Sequence, residues 1–173
     1  MILLGSTGSI GVNALAIAEQ FSLSVDTLVA GKNIDLLNQQ ILKHSPRHVV
    51  IMREEDRKYV KHNHIGVGEE AILRAIEESP SSLVVNALVG FVGFAPTLKA
   101  MECGKKIALA NKESLVVGGS FIDTNSIVPI DSEHFGLWYL NQTKRNIRKM
   151  VVTASGGAFR DWPLDKLQEA SLK

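Results

Sequence analysis

Two carboxylates one residue apart, Asp131 and Glu133, follow the apolar run Ile127-Val128-Pro129-Ile130 and precede His134. If strand geometry persists past that run, both point to one side, because strand side chains alternate. Carboxylates without a cysteine partner suit a hard divalent cation such as Mg²⁺ or Mn²⁺, whereas zinc calls for more nitrogen or sulfur. Two ligands do not complete an octahedron, so a third carboxylate or substrate oxygens are needed. The plainer alternative is a capping residue with acidic first-turn residues behind it. Upstream, Asn111-Lys112-Glu113 closes the run Ile107-Ala108-Leu109-Ala110. Charged groups beside so apolar a run need partners or a ligand. Lys112 could hold an anionic or oxygen-rich substrate with Glu113 as its pair; a cap with a glutamate on the helix dipole is the alternative. Ser155-Gly156-Gly157 offers a hydroxyl and free N–H groups that could nest a phosphate, or is a plain turn.

A second chemistry lies at the start of the chain. Gly5-Ser6-Thr7-Gly8-Ser9-Ile10-Gly11 comes between an apolar strand, 1–4, and a helix-forming stretch, 12–21. Strand, glycine turn and helix are the context of a dinucleotide fingerprint, here in the variant spacing G-x-x-G-x-x-G; a glycine-rich βα turn with no ligand is the alternative. Gly5 permits the turn, Gly8 lets backbone approach a pyrophosphate, and Gly11 lets the helix pack close on the strand. The free N–H groups opening the helix face the phosphates. About twenty residues on, Gly31-Lys32-Asn33 stands where an NAD site offers a carboxylate to the ribose. A cation and an amide there favour NADP(H), with Lys32 on a 2′-phosphate and Asn33 on ribose or phosphate. Otherwise Asn33 caps the next helix and Lys32 is a surface charge.

These groups need elements to hold them. Strands are expected at 2–4, 25–30, 48–52, 83–88, 107–110, 127–130 and 150–154. Helices are expected at 12–21, 34–44, 54–61, 69–78, 95–103, 114–122, 132–141 and 164–170. Near-continuous apolar strands such as Leu83-Val84-Val85 imply burial on both faces, as in a parallel sheet. Regular βα alternation makes the fold α/β, a doubly wound, mostly parallel, Rossmann-like sheet with right-handed crossovers. Ligands collect at the carboxyl ends of such strands, where all five polar clusters fall. No internal repeat, low-complexity segment or linker interrupts the pattern.

The bulk numbers set limits. In 173 residues, 45% hydrophobic and 21% charged with net charge +1, there is room for one packed domain or one with the start of another. No global basic footprint points to nucleic acid, and the run Lys144-Arg145-Asn146-Ile147-Arg148-Lys149 reads as a solvated loop. The one cysteine, Cys103, excludes an internal disulfide, fits a reducing cytosol, and is expected to be buried or half-buried late in a helix. No run reaches transmembrane length, and the first glycine comes too early for a signal peptide, so a cytoplasmic protein with no membrane partner is expected.

Taken together, the clusters resemble the 1-deoxy-D-xylulose 5-phosphate reductoisomerase family, NADPH-dependent enzymes of non-mevalonate isoprenoid biosynthesis. The matching stretches are Leu4-Gly5-Ser6-Thr7-Gly8-Ser9-Ile10-Gly11, Ala30-Gly31-Lys32-Asn33, Leu109-Ala110-Asn111-Lys112-Glu113-Ser114-Leu115-Val116, Pro129-Ile130-Asp131-Ser132-Glu133-His134 and Ser155-Gly156-Gly157-Ala158-Phe159-Arg160. The resemblance implies NADPH contacts at Thr7, Gly8, Ser9, Ile10, Gly31, Lys32, Asn33, Asn111 and Glu113. It implies substrate contacts at Lys112, Ser132, Glu133 and Ser155, metal ligation of Mg²⁺ or Mn²⁺ by Asp131 and Glu133, and catalytic roles for Lys112 and Glu133. Residues 1–124 would form the cofactor domain and 125–173 the start of an α+β catalytic domain. The implied substrate is a sugar phosphate, rearranged and reduced to 2-C-methyl-D-erythritol 4-phosphate, and the full-length enzyme is implied to be a homodimer. Ala154 stands where the family has glycine. The family continues past the position of Lys173 with a substrate lid, a third metal carboxylate and a helical domain, so the chain is expected to be truncated and inactive alone. Another NADP-dependent dehydrogenase, such as a homoserine or semialdehyde dehydrogenase, would share the glycine turn without needing the carboxylate pair. A non-catalytic NADP-binding module is the remaining alternative.

Overall fold

A computed structural model describes residues 1–142, 147–151 and 161–169. They form two compact units, Met1–Asp131 and Ser132–Lys173. The first holds a seven-stranded sheet built from β1 (Ile2–Leu4), β2 (Thr27–Ala30), β3 (His48–Ile51), β4 (Ile65–Val67), β5 (Leu83–Asn86), β6 (Lys106–Leu109) and β7 (Ile127–Pro129). The spatial order is β4-β3-β2-β1-β5-β6-β7, and every pairing is parallel. Its helices are α1 (Ser9–Gln20), α2 (Ile34–His44), α3 (Glu69–Glu78), α4 (Phe94–Glu102) and α5 (Lys112–Gly118).

Three- and four-residue strands are held by burial rather than by their own ladder. Alternate residues leave each strand on opposite faces. Leu3, Leu28, Val49 and Ile51 meet Leu15 and Ala18 of α1 and Leu37 and Ile41 of α2. Ile2, Leu4, Val29, Val50 and Val84 meet Ile72 and Ile76 of α3 and Ala100 of α4. Each fully buried Leu or Ile contributes about 1.5–3 kcal/mol, more than a few strand residues gain from propensity. α1 and α2 are also joined by Lys43 and Glu19 at 2.7 Å, and the ammonium holds the Glu19 carboxyl below its ordinary pKa.

The chain builds outward from β1 to β4 on one side, then crosses to β5 and builds outward again. The reversal between β1 and β5 creates the crevice in which open α/β sheets bind ligands. The structure departs from the sequence reading at several elements. β4 was not expected: it is short and carries Gly66. A Cβ on Gly66 would lie 2.8 Å from the Ala71 side chain, so the glycine lets α3 press onto the strand. The stretch 54–61 forms a 3₁₀ helix over Glu54–Tyr59, pinned by Arg53–Asp56 and Arg57–Glu54 ion pairs. Residues 114–122 divide into the end of α5 and a 3₁₀ turn, Gly119–Phe121. Cys103 is exposed, because α4 ends at Glu102 and Gly104 (φ +64°) turns the chain away.

In the second unit, α6 (Ser132–Asn141) has the bounds expected for it, and the expected terminal helix is a 3₁₀ helix, Leu164–Glu169. Of the expected strand at 150–154, Met150 and Val151 have no regular structure and the rest lies outside the described residues. No helix among the described residues is long and apolar enough to cross a membrane.

Candidate functional site

β1 ends at Leu4, and Gly5 turns the chain at φ +83°, a region that side-chain-bearing residues enter at a cost. A Cβ there would lie 2.6 Å from the Ala87 carbonyl oxygen, so the turn is pressed against the chain leaving β5. Gly11 is tighter still: its Cβ would lie 2.2 Å from the Gly5 oxygen. It stands inside α1, so it lets the helix press on the turn itself, not on the strand as the sequence reading had it. Gly8 is exposed and has only the Gly5 oxygen near, at 3.5 Å.

α1 therefore begins three residues earlier than expected, and its opening lies within the glycine motif. Gly8 supplies no capping side chain and the first turn carries no acidic residue, so neither a cap nor a first-turn carboxylate offsets the positive helix end. Gly8, Ser9 and Ile10 are exposed there and Thr7 is half-buried. Beneath them, Gln40 of α2 donates from Nε2 to the Ser6 carbonyl at 2.8 Å, while Ser6 Oγ and Gln40 Oε1 are buried with no hydrogen-bond partner among the described residues. Ser6 Oγ keeps a hydroxyl that the described residues do not use, and the N–H groups opening α1 make an environment that an anionic phosphate fits.

Beside it, β2 delivers Gly31, Lys32 and Asn33. Asn33 caps α2, its Oδ1 accepting from Leu36 N–H at 3.1 Å, so the capping alternative is realised. The cap uses only the oxygen and leaves the Nδ2 group on an exposed residue. Lys32 is exposed and pairs with no carboxylate among the described residues, and open space lies where a Gly31 side chain would project.

On the other side of β1, two buried asparagines organise the segment 87–93. Asn86 ends β5; its Nδ2 donates to the Gly93 carbonyl and to Thr97 Oγ1, both at 2.9 Å, and its Oδ1 accepts from Leu88 N–H at 3.2 Å. Thr97 Oγ1 donates a hydrogen bond to the Gly93 carbonyl at 2.8 Å and lies 3.4 Å from Ser114 Oγ. Asn111, 1% exposed, N-caps α5: its Oδ1 accepts from Ser114 N–H and from Ser114 Oγ–H. Its Nδ2 donates to the carbonyls of Leu88 and Gly90, both at 2.8 Å. Every hydrogen-bonding position of the Asn111 side chain is thereby taken by the fold. Lys112, exposed, and Glu113, half-buried, occupy the first turn of α5.

β7 ends at Pro129, and Asp131, 8% exposed, closes the first unit. Ser132 and Glu133 open α6 of the second unit, with Ser132 Oγ donating to Glu133 Oε2 at 3.2 Å. Strand geometry does not persist to residue 133, so the alternation argument for Asp131 and Glu133 does not apply; Ser132 and Glu133 are helix-start residues. Among the described residues, no group of three or more His, Cys, Asp or Glu is arranged to hold a metal ion. Ser155 lies outside the described residues.

The parallel sheet thus sets the first-unit clusters along one rim in the order Lys32 and Asn33, the glycine turn, segment 87–93, Lys112 and Glu113, Asp131. Four interstrand spacings from β2 to β7 amount to roughly 19 Å. The sequence reading missed Asn86, Thr97 and Gln40. Only Asn86 carried a signal, as a polar residue closing the apolar run Leu83-Val84-Val85.

Comparison with known proteins agrees with this architecture. The family model described as 1-deoxy-D-xylulose 5-phosphate reductoisomerase matches residues 1–119, and that of the reductoisomerase C-terminal domain matches 127–173. A 1-deoxy-D-xylulose 5-phosphate reductoisomerase of Nautilia profundicola is 54% identical over 100% of this chain and 49% of its own length. That of Wolinella succinogenes is 52% identical over 96% of this chain and 47% of its own. Among solved structures, the Zymomonas mobilis reductoisomerase in complex with NADPH superposes with a TM-score of 0.78 at 28% identity, over 98% of this chain and 49% of the other. A DOX-P reductoisomerase in complex with NADPH, fosmidomycin and magnesium superposes with a TM-score of 0.74 at 30% identity, over 98% of this chain and 48% of the other. The chain spans about half the length of the curated relatives it matches. With both of the family's domain models matched in order, and its parallel sheet and glycine turn in place, the chain belongs to the 1-deoxy-D-xylulose 5-phosphate reductoisomerase family.

Proposed function

We propose that this chain forms the NADPH-binding part, and the start of the metal- and substrate-binding part, of an enzyme converting 1-deoxy-D-xylulose 5-phosphate to 2-C-methyl-D-erythritol 4-phosphate. The observation that carries the reading is the uncapped start of α1 at the sheet's reversal, in a chain matched by both family domain models. A solved relative is in complex with NADPH, fosmidomycin and magnesium, which supports those ligand classes here.

On this reading each cluster of the rim takes one task. Thr7, Gly8, Ser9 and Ile10 receive the pyrophosphate on backbone N–H groups at the positive end of α1. Lys32 takes the 2′-phosphate, and Gly31 and Asn33 complete that wall. Glu113 and Asn111 border the nicotinamide side, Asn111 by building the wall with its side chain rather than by offering a spare donor. Lys112 with Ser132 and Ser155 holds the sugar phosphate, and Asp131 and Glu133 supply two carboxylates to Mg²⁺ or Mn²⁺, with Glu133 also reaching substrate. The cation supplies Lewis-acid polarisation of substrate oxygens, and the nicotinamide supplies hydride. The chain's own contribution is orientation: groups fixed on separate βα units hold cofactor and substrate in reacting order. Residues 1–124 serve the cofactor and 125–173 open the catalytic domain. We assign the full-length enzyme to the cytoplasm as a homodimer.

The test is oxidation of NADPH by the full-length protein, followed as loss of nicotinamide absorbance with 1-deoxy-D-xylulose 5-phosphate and Mg²⁺ or Mn²⁺. Metal-dependent turnover is expected. No turnover with either metal would remove the reading.

A further inference from the structure

Segment 87–93 lies on the rim, exposed at Val89 and Phe91 and anchored from below. Val89 and Phe91 face outward, while four of the segment's backbone groups are held by the two buried asparagines: the Leu88 N–H and the carbonyls of Leu88, Gly90 and Gly93. At its start, Ala87 N–H donates to the Leu4 carbonyl at 2.9 Å, so the segment abuts the glycine turn across the crevice. Gly93 admits no side chain, since a Cβ would lie 2.4 Å from the Asn111 side chain. The polar cluster of Asn86, Thr97, Ser114 and Asn111 is buried and fully paired. Such networks fix one backbone arrangement where apolar packing would tolerate several.

We propose that Thr97 and Asn86 are positioning residues that hold segment 87–93 as the wall for the nicotinamide half of the cofactor, an inference that rests on the NADPH reading above. Its direction comes from topology. The adenosine end lies toward β2, where Lys32 stands, and the pyrophosphate lies on α1. A dinucleotide crossing the reversal therefore places its other half over β5. Thr97 does not reach the rim. It accepts from Asn86, donates to Gly93 and touches Ser114, so it transmits the position of α4 and α5 to the wall.

The experiment compares two probes on the full-length protein by calorimetry: NADPH, and the adenosine bisphosphate that carries the 2′-phosphate but no nicotinamide. Thr97→Val keeps the shape and removes the hydroxyl. It is expected to weaken NADPH about tenfold, or about 1.4 kcal/mol, with less than about a twofold change for the bisphosphate. Thr97→Ser should restore NADPH binding. Ser114→Ala, a milder cut in the same cluster, should give the same split at smaller size and answers the question if Thr97→Val fails to fold. Equal weakening of both probes, or no change in either, overturns the inference while leaving the cofactor reading intact. A wild-type protein that binds neither probe removes the cofactor reading and this inference with it.

Discussion

Lys32 is a cation at the end of β2 where an NAD site carries an acid, and it stands beside the open side of Gly31. Its proposed role makes a sharp prediction: NADPH binds more tightly than NADH, and Lys32→Ala weakens NADPH by about 1–3 kcal/mol, the loss of one charge-assisted contact. NADH affinity should hardly move, because that cofactor lacks the 2′-phosphate. Calorimetric titration of both cofactors on both proteins checks it, and equal losses would show Lys32 to be a general surface charge. At this scale the sequence was legible where a residue type has few alternatives. Asn33 and Asn111 stood at helix-start positions, and both are caps. It was not legible where a residue acts through geometry: Thr97 looks like any helix threonine until its hydroxyl is found between Asn86 and Gly93.

Elements divide in the same way. β1, α2, α3 and α6 occupy the stretches expected of them, because apolar period and start signals agree there. β4 escaped notice because three residues with a central glycine carry almost no pattern; it exists by pairing Val49–Ile51 with Ile65–Val67. α1 starts at Ser9, inside the glycine motif that apolar period alone does not mark as helix, and Gly11 shows why that matters. In an open helix interior, Gly→Ala stabilises by about 1 kcal/mol through backbone entropy. At Gly11 the new methyl would meet the Gly5 oxygen at 2.2 Å and Ser6 Cα at 2.7 Å, all backbone that cannot rotate away. Overpacking of that kind costs about 1–3 kcal/mol, so the clash outweighs the propensity gain. Gly11→Ala is expected to lower the melting temperature and to weaken NADPH by distorting the turn. Gly136→Ala, on α6 with nothing within 4 Å, should be neutral or stabilising. A stabilised Gly11→Ala protein would mean the turn yields more readily than its packing implies.

For the molecule as a whole, the α/β class and the rim followed from the alternation of apolar strands and helices. The strand order did not: nothing local in β5 states that it pairs with β1 rather than β4. That pairing is decided by which apolar faces can be covered together, with α1 and α2 on one side and α3 and α4 on the other. The consequence is functional. The proposed cofactor residues 7–10, 31–33, 111 and 113 all stand on the first unit, whose sheet is covered on both faces within that unit. The proposed metal and substrate groups are divided: Lys112 and Asp131 belong to the first unit, and Ser132 and Glu133 to the second. Two carboxylates fall short of an octahedral cation site, and the chain spans about half of its relatives' length. A protein limited to these 173 residues is therefore expected to bind NADPH with an affinity within about tenfold of the full-length protein's, a difference of about 1.4 kcal/mol. On the proposed function it should not oxidise NADPH when given 1-deoxy-D-xylulose 5-phosphate and Mg²⁺ or Mn²⁺, because two carboxylates leave the cation's ligand set incomplete. Titration and the absorbance assay, run on both lengths of chain, separate the two functions. Turnover by the short chain would mean that Lys112, Asp131 and Glu133 with their neighbours suffice, and loss of binding would mean that the cofactor site needs more than the first unit's rim.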